Sequence, residues 1–330
     1  MMTLLPIGLL GIGLGAGAAA ALLFASVKSG ALLSVFLFYL APLPILIAGL
    51  GWSHVAGLIA AVSAALALGL AFGWAFFLAF LVGAGLPGWW LAYLAMLARP
   101  SAAGDVALEW YPPGRLVAWS ALLGAAVVIV AIPTFGTDEA SFTAALRAGF
   151  ERLLRVQGER PGTTGDTIAG VDTARLIDFL VAVIPPTAAV LATLTNVVNL
   201  WLAGRVVKFS NRLRRPWPDL PAMTIPMPVA GLLLAGIVLS LIGGLIGIAA
   251  TALTASLLMA FGILGFAVLH AITRGMPSRP FVLSGAYAAT LFFGWPMLAM
   301  TLLGLAETAF DIRARLARRR GGPPSAPHSS

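Results

Sequence analysis

Residues 185–219 read PPTAAVLATLTNVVNLWLAGRVVKFSNRLRRPWPD, and this stretch decides the topology of the chain. An apolar helix with a break at Pro185-Pro186 carries two amides, Asn196 and Asn199, and then runs into five bases: Arg205, Lys208, Arg212, Arg214 and Arg215. Amides at membrane depth are costly without partners. Lys and Arg gather on the cytoplasmic side of spanning helices, where they also bind lipid head groups. The stretch therefore predicts a spanning helix with a cytoplasmic end.

The composition is that of an integral membrane protein. Of 330 residues, 60% are hydrophobic and 10% are charged, and the mean hydropathy is +0.99. A soluble domain has about 25% charged residues, so the chain has too few to cover a water-facing surface and is expected to contact membrane lipids. The net charge of +8 comes mostly from bases beside apolar segments, and we therefore expect no nucleic-acid partner.

Nine apolar runs are long enough to cross a bilayer, which takes about 20 helical residues. They predict an all-α, polytopic transmembrane bundle of about eight to nine segments, in one domain over residues 1–320 with a disordered tail at 321–330. The first run follows no basic signal-peptide start, so we expect it to remain as a spanning helix. The runs are Leu4–Val27, Ala31–Leu50, Val55–Phe72, Trp74–Ala98, Leu116–Pro133, Leu176–Ala203, Val229–Ile248, Thr251–Ile272 and Phe281–Leu305.

One long polar connection, Phe135–Arg175, separates the fifth run from the sixth. Over residues 138–157 its apolar side chains recur at helical spacing, and charged side chains occupy another face. This pattern predicts an amphipathic helix that lies on the membrane surface or caps the bundle. A flexible loop at Pro161–Gly170 follows it, so the extramembrane insertion is expected over residues 137–175.

The distribution of bases sets the predicted orientation. The connection at 205–219 has five bases against one acid, whereas Phe135–Arg175 has five Arg against six acids, so the first is placed in the cytoplasm and the second outside. The N-terminus is then cytoplasmic, but nine full crossings would place the bases of residues 313–320 outside. We therefore expect an even number of crossings and a cytoplasmic C-terminus. Either Gly294-Trp295-Pro296 turns the last run into a hairpin, or an upstream pair of helices is miscounted.

Two sets of residues are candidates for binding. Gly11/Gly15 and Gly13/Gly17 are GxxxG pairs, which let another helix approach closely, in the same bundle or in a partner protein. Asn196 and Asn199 share one helical face, with Thr195 beside them. They predict either hydrogen bonds that hold the bundle together or a polar pocket for a small molecule near the paired prolines.

No catalytic residue can be assigned. The chain has no Cys, its three His are widely separated, and it has no triad, phosphate loop or cluster with metal-ligand spacing. We therefore expect no enzyme activity, no metal and no cofactor. Glu307, Asp311 and Arg315 follow one another at i,i+4 spacing and are predicted to form a charged network at the cytoplasmic edge.

Further motifs are spread along the chain: the glycine-rich first run, Pro42-Leu-Pro44 with His54-Val-Ala-Gly57, Gly88-Trp-Trp-Leu-Ala-Tyr93, Glu109-Trp-Tyr-Pro112, Asn199…Arg205 and Gly294-Trp-Pro…Gly304-Leu-Ala-Glu307. Together they resemble the uncharacterised YybS-like family of bacterial membrane proteins, in its alphaproteobacterial branch. That family is grouped with the substrate-binding S components of energy-coupling-factor transporters. The resemblance implies an S-component-like core whose first helix contacts a transporter scaffold. The chain departs from it in having more than six helices and the insertion at 135–175.

Two functions are compatible with these features. The first is a bacterial inner-membrane protein that binds a small molecule for uptake, with Thr195, Asn196 and Asn199 at the site. Gly11, Gly13, Gly15 and Gly17 would then contact a transporter scaffold or another membrane protein. The second is a non-transporting scaffold or regulator of envelope processes. The resemblance assigns neither a substrate nor a catalytic residue.

Overall fold

The fold is a bundle of apolar helices. In the part of the chain that the structure describes, seven helical segments are long and apolar enough to cross a membrane, and two shorter apolar helices accompany them, which confirms the predicted all-α polytopic bundle. The tail at 321–330 and most of the loop at Pro161–Gly170 lie outside the described residues. A computed structural model describes residues 7–100, 108–158, 167–168 and 171–319.

The first part of the chain forms four membrane segments and a short hairpin. The second segment is divided between two helices, and the fourth contains a π-helical turn at Leu81–Gly85. The elements are α1 (Ile7–Ala25) with a 3₁₀ turn (Ser26–Ser29), α2 (Leu32–Tyr39), α3 (Pro42–Gly51), α4 (His54–Phe72), α5 (Trp74–Phe80), α6 (Leu86–Ala95) and the antiparallel strands β1 (Ala98–Pro100) and β2 (Leu108–Trp110).

The second part contains the longest helices and the extramembrane insertion. A helix is present where residues 138–157 predict one, and it contacts the ends of its two neighbours in sequence. The elements are α7 (Pro113–Phe135), α8 (Glu139–Gly158), the paired strands β3 (Thr167–Ile168) and β4 (Val171–Asp172), α9 (Thr173–Phe209), a 3₁₀ turn (Leu220–Ala222), α10 (Met227–Ser240), α11 (Gly244–Ile272), α12 (Arg279–Phe293), α13 (Pro296–Phe310) and α14 (Ile312–Arg319).

The predicted break at Pro185-Pro186 is wrong, because α9 continues through both residues. Each proline removes one backbone donor from the helical ladder. Spanning helices tolerate that loss where neighbouring helices support them, and Pro185 is itself buried among such neighbours. The 37-residue helix therefore runs from the insertion to the basic connection without interruption.

The predicted boundary between the seventh and eighth runs is also wrong. The chain turns at Gly243 and Gly244, whose φ angles are 78° and 65°, and not at residues 248–251. Positive φ is easily reached only without a Cβ, so the glycine pair fixes the position of the turn. The result is a 14-residue α10 and a 29-residue α11.

The last apolar run is a hairpin that returns to its starting face. Gly294, with φ 73°, separates α12 from α13, each of 15 residues and thus about 22 Å long. Arg274, just before α12, forms an ion pair with Asp219 of the basic connection. Arg313, just after α13, donates to the carbonyl of Met223 in the chain that follows that connection. Both ends of the pair therefore lie at the face of the basic connection, as the hairpin alternative predicts.

The start of α1 lies at this face as well. The end of α3 at Gly51 lies beside Val207 near the end of α9, and α4 begins three residues later. α1 runs parallel to α4, because Gly13 lies against Ala56 and Gly17 against Ala60. The start of α1 and the start of α14 therefore lie at the same face of the bundle.

The predicted contacts of Glu307 and Asp311 with Arg315 are replaced by a different pair. Asp311 adopts a left-handed conformation with φ 49°, which ends α13. Glu307 pairs with Arg313, which lies two residues beyond Asp311, with 2.7 Å between Oε1 and Nε.

Candidate functional site

A cavity of about 400 Å³ opens at the face of the basic connection. It lies between α7, α9 and α11, beneath residues 213–223, and the ends of α3 and α6 close one side. Its walls are mostly aliphatic and aromatic, and its volume is within the roughly 300–1,000 Å³ of small-molecule pockets. The polar side chains on its lining include Ser120, Arg215, His270 and Tyr287. We call it the basic-face cavity.

Arg215 is the strongest charge on this lining. Arg215 belongs to the connection that follows α9, and the residue is only 9% exposed. Its Nη1 donates to the Ala95 carbonyl oxygen at 3.0 Å, at the C-terminal end of α6, where the helix dipole favours a cation. Burial lowers the pKa of the guanidinium, but arginine is still protonated at neutral pH.

No carboxylate among the described residues is seen to pair with Arg215. The ion pairs among those residues include Arg99 with Glu109, Arg147 with Asp178, Arg274 with Asp219 and Arg313 with Glu307. A buried ion without an opposite charge is costly. The basic-face cavity thus combines an apolar wall with a positive charge that no described carboxylate compensates.

Two aromatic side chains extend the lining to the outside of the bundle. Trp201 of α9 is 46% exposed and Tyr287 of α12 is 48% exposed, and both line the cavity. Tyr287 stacks on Phe266, with 4.7 Å between ring centroids, and its Oη lies 3.0 Å from His270 Nε2. Within the described α12, no residue is buried. One wall of the cavity is therefore a loosely packed helix at the lipid-facing surface.

Three other cations of the basic connection contact tryptophan rings at or near the cavity. Lys208 lies 5.1 Å from the centroid of the Trp217 ring, which lines the cavity. Arg205 lies 5.7 Å from both the Trp201 and Trp217 rings, and Arg212 lies 4.6 Å from the Trp52 ring. Arg214 is exposed. These cations remain near the surface, in contrast to Arg215.

Asn196 and Asn199 lie between helices and not on the described lining of the basic-face cavity. Asn199 Nδ2 donates to the Tyr39 and Thr195 carbonyls, each at 2.8 Å. The Tyr39 carbonyl needs a side-chain partner because Leu43 N, its expected helical donor, bonds to Leu40 instead. Asn199 thus bridges the break between α2 and α3.

The other amide makes a weaker contact. Asn196 Nδ2 lies 3.4 Å from the Ser120 carbonyl of α7, near the outer limit of a hydrogen bond. Thr195, the third residue of the predicted site, is half-buried and contributes its backbone carbonyl to Asn199. The Asn196 contact thus joins α9 to α7, whereas the bond between Asn199 and Thr195 lies within α9.

The four glycines of α1 that form the GxxxG pairs divide between two faces. Gly13 and Gly17 are buried against α4, where an added Cβ would overlap Ile59 and Ser63. At Gly11 and Gly15 an added Cβ would meet no atom within 4 Å. The first pair packs within the bundle, and the second faces outward.

A second cavity, of about 390 Å³, lies at the opposite face. It is formed around Pro185 and Pro186, Glu139 and the turn before α11. Glu139 Oε2 accepts from the Gly244 amide at 2.9 Å. The Glu139 carboxylate thus holds the start of α11 in place. Across the described ranges, no group of three or more His, Cys, Asp and Glu residues is placed to hold a metal ion.

Comparison with known families gives one match. The sequence model of DUF2232, described as a predicted membrane protein, matches residues 18–308. The chain belongs to the DUF2232 family. No curated protein and no solved structure matches it. Membership of DUF2232 agrees with the helical bundle and leaves the ligand to be argued from the site.

Sequence reasoning missed Arg215 as a site residue in this DUF2232 chain. It was one of five bases in a run, and neither charge nor spacing separates it from Arg214. A weaker sequence signal lies in the residues directly after Arg215. Residues 216–225 contain three prolines and the apolar residues Trp217, Leu220, Met223 and Ile225, which is unusual for a solvated loop. That composition is typical of a segment that folds back into the bundle, where it carries Arg215 with it.

Proposed function

We propose that this DUF2232 protein binds a small molecule in the basic-face cavity and serves as the binding component of an uptake system in the bacterial inner membrane. The cavity carries the proposal, because its volume and apolar wall with few polar groups are those of ligand pockets. The resemblance to YybS-like proteins and S components supports the same role. The bases of the connection then face the cytoplasm, together with both ends of the chain.

A cavity-filling variant tests binding. Ala267 of α11 lines the cavity and is 8% exposed, so Ala267→Phe should occupy part of it. Ala235 of α10 is exposed, and Ala235→Phe is the matched control. Native mass spectrometry of protein purified in mild detergent should find a retained small molecule in the wild type and the control, and little in Ala267→Phe. An equal amount of that molecule in all three proteins would contradict the proposal.

Copurification tests the uptake role. Recovery of an ATPase subunit with the protein and its bound molecule is the expected result. The outward face with Gly11 and Gly15 is the proposed contact with the transporter scaffold, because an added Cβ at either glycine would meet no described atom within 4 Å. Gly15→Leu should then reduce recovery of the subunit without changing the bound molecule.

The second candidate is a scaffold or regulator of envelope processes. The exposed face of α12 favours it, since Phe281, Leu291 and Phe292 are each about 80% exposed and could contact another membrane protein. Recovery of envelope or signalling proteins, with an empty cavity, would favour this function over uptake.

A further inference from the structure

The inference concerns the charge of the molecule that occupies the basic-face cavity. Arg215 is nine-tenths buried and pairs with no acid among the described residues. We propose that the cavity binds an amphipathic anion, with a carboxylate or phosphate on Arg215 and an apolar body against the cavity wall. This rests on the proposed function, because it names the class of molecule bound.

The geometry of the Arg215 guanidinium suits an anionic group. It carries five N–H donors in a planar fork, which matches the oxygens of a carboxylate or phosphate. The hydrogen bond from Nη1 to the Ala95 carbonyl fixes its position at the end of α6. That bond is the one contact with an acceptor that the described residues provide, so donors remain for a ligand.

Other ligand charges fit this site poorly. A cation would add a second positive charge to a buried one. A wholly apolar molecule would displace water from Arg215 without replacing its hydrogen bonds, which is costly for a charged group. An anion instead supplies the missing counter-charge, and its attraction is strong because the surroundings have a low dielectric constant.

The apolar part of the ligand follows from the walls. Phe266 and Trp217 provide flat aromatic surfaces, and aliphatic side chains from α7, α9 and α11 complete the lining. Trp201 and Tyr287 are half-exposed at the lipid-facing side, so an alkyl chain can enter from the bilayer. An anionic phospholipid of the membrane and a water-borne amphipathic anion share this chemistry.

Three dodecyl probes test the charge preference: dodecyl phosphate, dodecanol and dodecyltrimethylammonium. Their binding to full-length protein in maltoside micelles is measured by native mass spectrometry. The wild type should bind one dodecyl phosphate at least about tenfold more tightly than either other probe. Arg215→Gln should weaken the phosphate by about 10- to 100-fold, the range for a hydrogen bond to a charged group, and leave dodecanol unchanged. Arg214→Gln, at the exposed neighbour, should behave as wild type.

The outcomes separate the two proposals. Equal binding of the three probes by the wild type overturns the anion proposal, and so does full phosphate affinity in a folded Arg215→Gln. If Ala267→Phe still abolishes that equal binding, the cavity remains a site without charge selectivity. If no probe binds, the proposed function fails with it. The wild-type comparison decides the question even where Arg215→Gln does not fold.

A nanodisc experiment identifies the source of the anion. Wild-type protein is placed in phosphatidylcholine nanodiscs, with or without phosphatidylglycerol. Competition by phosphatidylglycerol for the dodecyl phosphate site supports a membrane lipid as the ligand. Unchanged dodecyl phosphate binding in both supports a water-borne anion. In either case Arg215→Gln should remove the preference for the anionic ligand. An unchanged preference in that variant would contradict the assignment of the anionic group to Arg215.

Discussion

Two arginines with little exposed surface lie at the same face of the bundle, and they have different kinds of partner. Arg313 has a side chain that is 15% exposed, and its Nε donates to Glu307 Oε1 at 2.7 Å. Its terminal nitrogens donate to the carbonyls of Pro221 and Met223. Arg215 donates to the Ala95 carbonyl, and no described carboxylate pairs with it.

The difference separates a structural charge from one that is available to a ligand. Arg313 connects the end of α13 to the chain after the basic connection, so its acid and carbonyl partners close the hairpin onto the bundle. Arg215 faces a cavity instead. Because both side chains have little exposed surface and both contact backbone carbonyls, low exposure alone does not distinguish them. The two residues differ in whether a described carboxylate pairs with the guanidinium. Charged groups in perturbed surroundings concentrate at functional sites.

The largest expected effect comes from breaking the satisfied pair. Arg313→Met leaves the Glu307 carboxylate, with a side chain only 4% exposed, without its cation. Removing one partner of a buried ion pair costs about 3–5 kcal/mol, so the free energy of unfolding should fall by that order. Titration with sodium dodecyl sulfate, followed by tryptophan fluorescence, measures it.

A double variant provides the control for this prediction. Glu307→Gln with Arg313→Met removes both charges, and it should cost clearly less than the sum of the two single changes. Additive costs would mean that the two side chains do not depend on each other, and the contrast with Arg215 would lose its basis.

The next effect concerns the crossing that positions Glu307. Gly304 lies where α13 crosses α11, and an added Cβ would overlap the Phe261 carbonyl oxygen. Gly304→Ala should therefore push the helices apart and lower the unfolding free energy by about 1–3 kcal/mol. Gly285 of α12, with no atom within 4 Å of such a Cβ, is the matched control, and Gly285→Ala should be neutral or slightly stabilising. Equal changes in unfolding free energy for the two variants in the same titration would contradict the close approach of α13 to α11.

The sequence predicted some of these features because they depend on local composition. Apolar length is enough to place spanning helices, and the glycine and proline around Trp295 are enough to place the last turn. The turn at Gly243 was missed because the whole neighbourhood is apolar and contains several glycines, so hydropathy has no minimum there. The continuity of α9 through Pro185 depends on support from other helices, which no local signal reports.

The partners of the buried charges could not be predicted at all. Arg215 and Ala95 are 120 residues apart, and Arg313 and Pro221 are 92 residues apart. The local i,i+4 rule instead joined Asp311 to Arg315, whereas α13 ends at the left-handed residue Asp311 and Glu307 pairs with Arg313. Long-range contacts place Arg215 in the cavity, so the candidate site emerged only with the three-dimensional arrangement.

A third prediction extends the comparison from charges to amides. Asn199→Leu removes the donors to the Tyr39 carbonyl, and the loss should cost about 1–2 kcal/mol, the upper range for interhelical hydrogen bonds in membranes. Asn196→Leu should cost less, because its contact with the Ser120 carbonyl is 3.4 Å long. The reverse order in detergent unfolding would mean that distance does not rank these contacts. A loss of the bound molecule from stable Asn199→Leu would restore the polar-pocket interpretation.

The smallest effect on stability is expected at Arg215, with which no described carboxylate pairs. Arg215→Met replaces the guanidinium by an apolar side chain of similar length in an apolar cavity. The loss of the Ala95 contact and the removal of an unpaired buried charge act in opposite directions, so the unfolding free energy without ligand should change by less than about 1 kcal/mol. Addition of dodecyl phosphate should stabilise the wild type and not this variant, since a ligand that binds the folded state stabilises it in proportion to its affinity. A cost of several kcal/mol in the ligand-free protein would instead make Arg215 a structural residue like Arg313, and the contrast between the two arginines would fail.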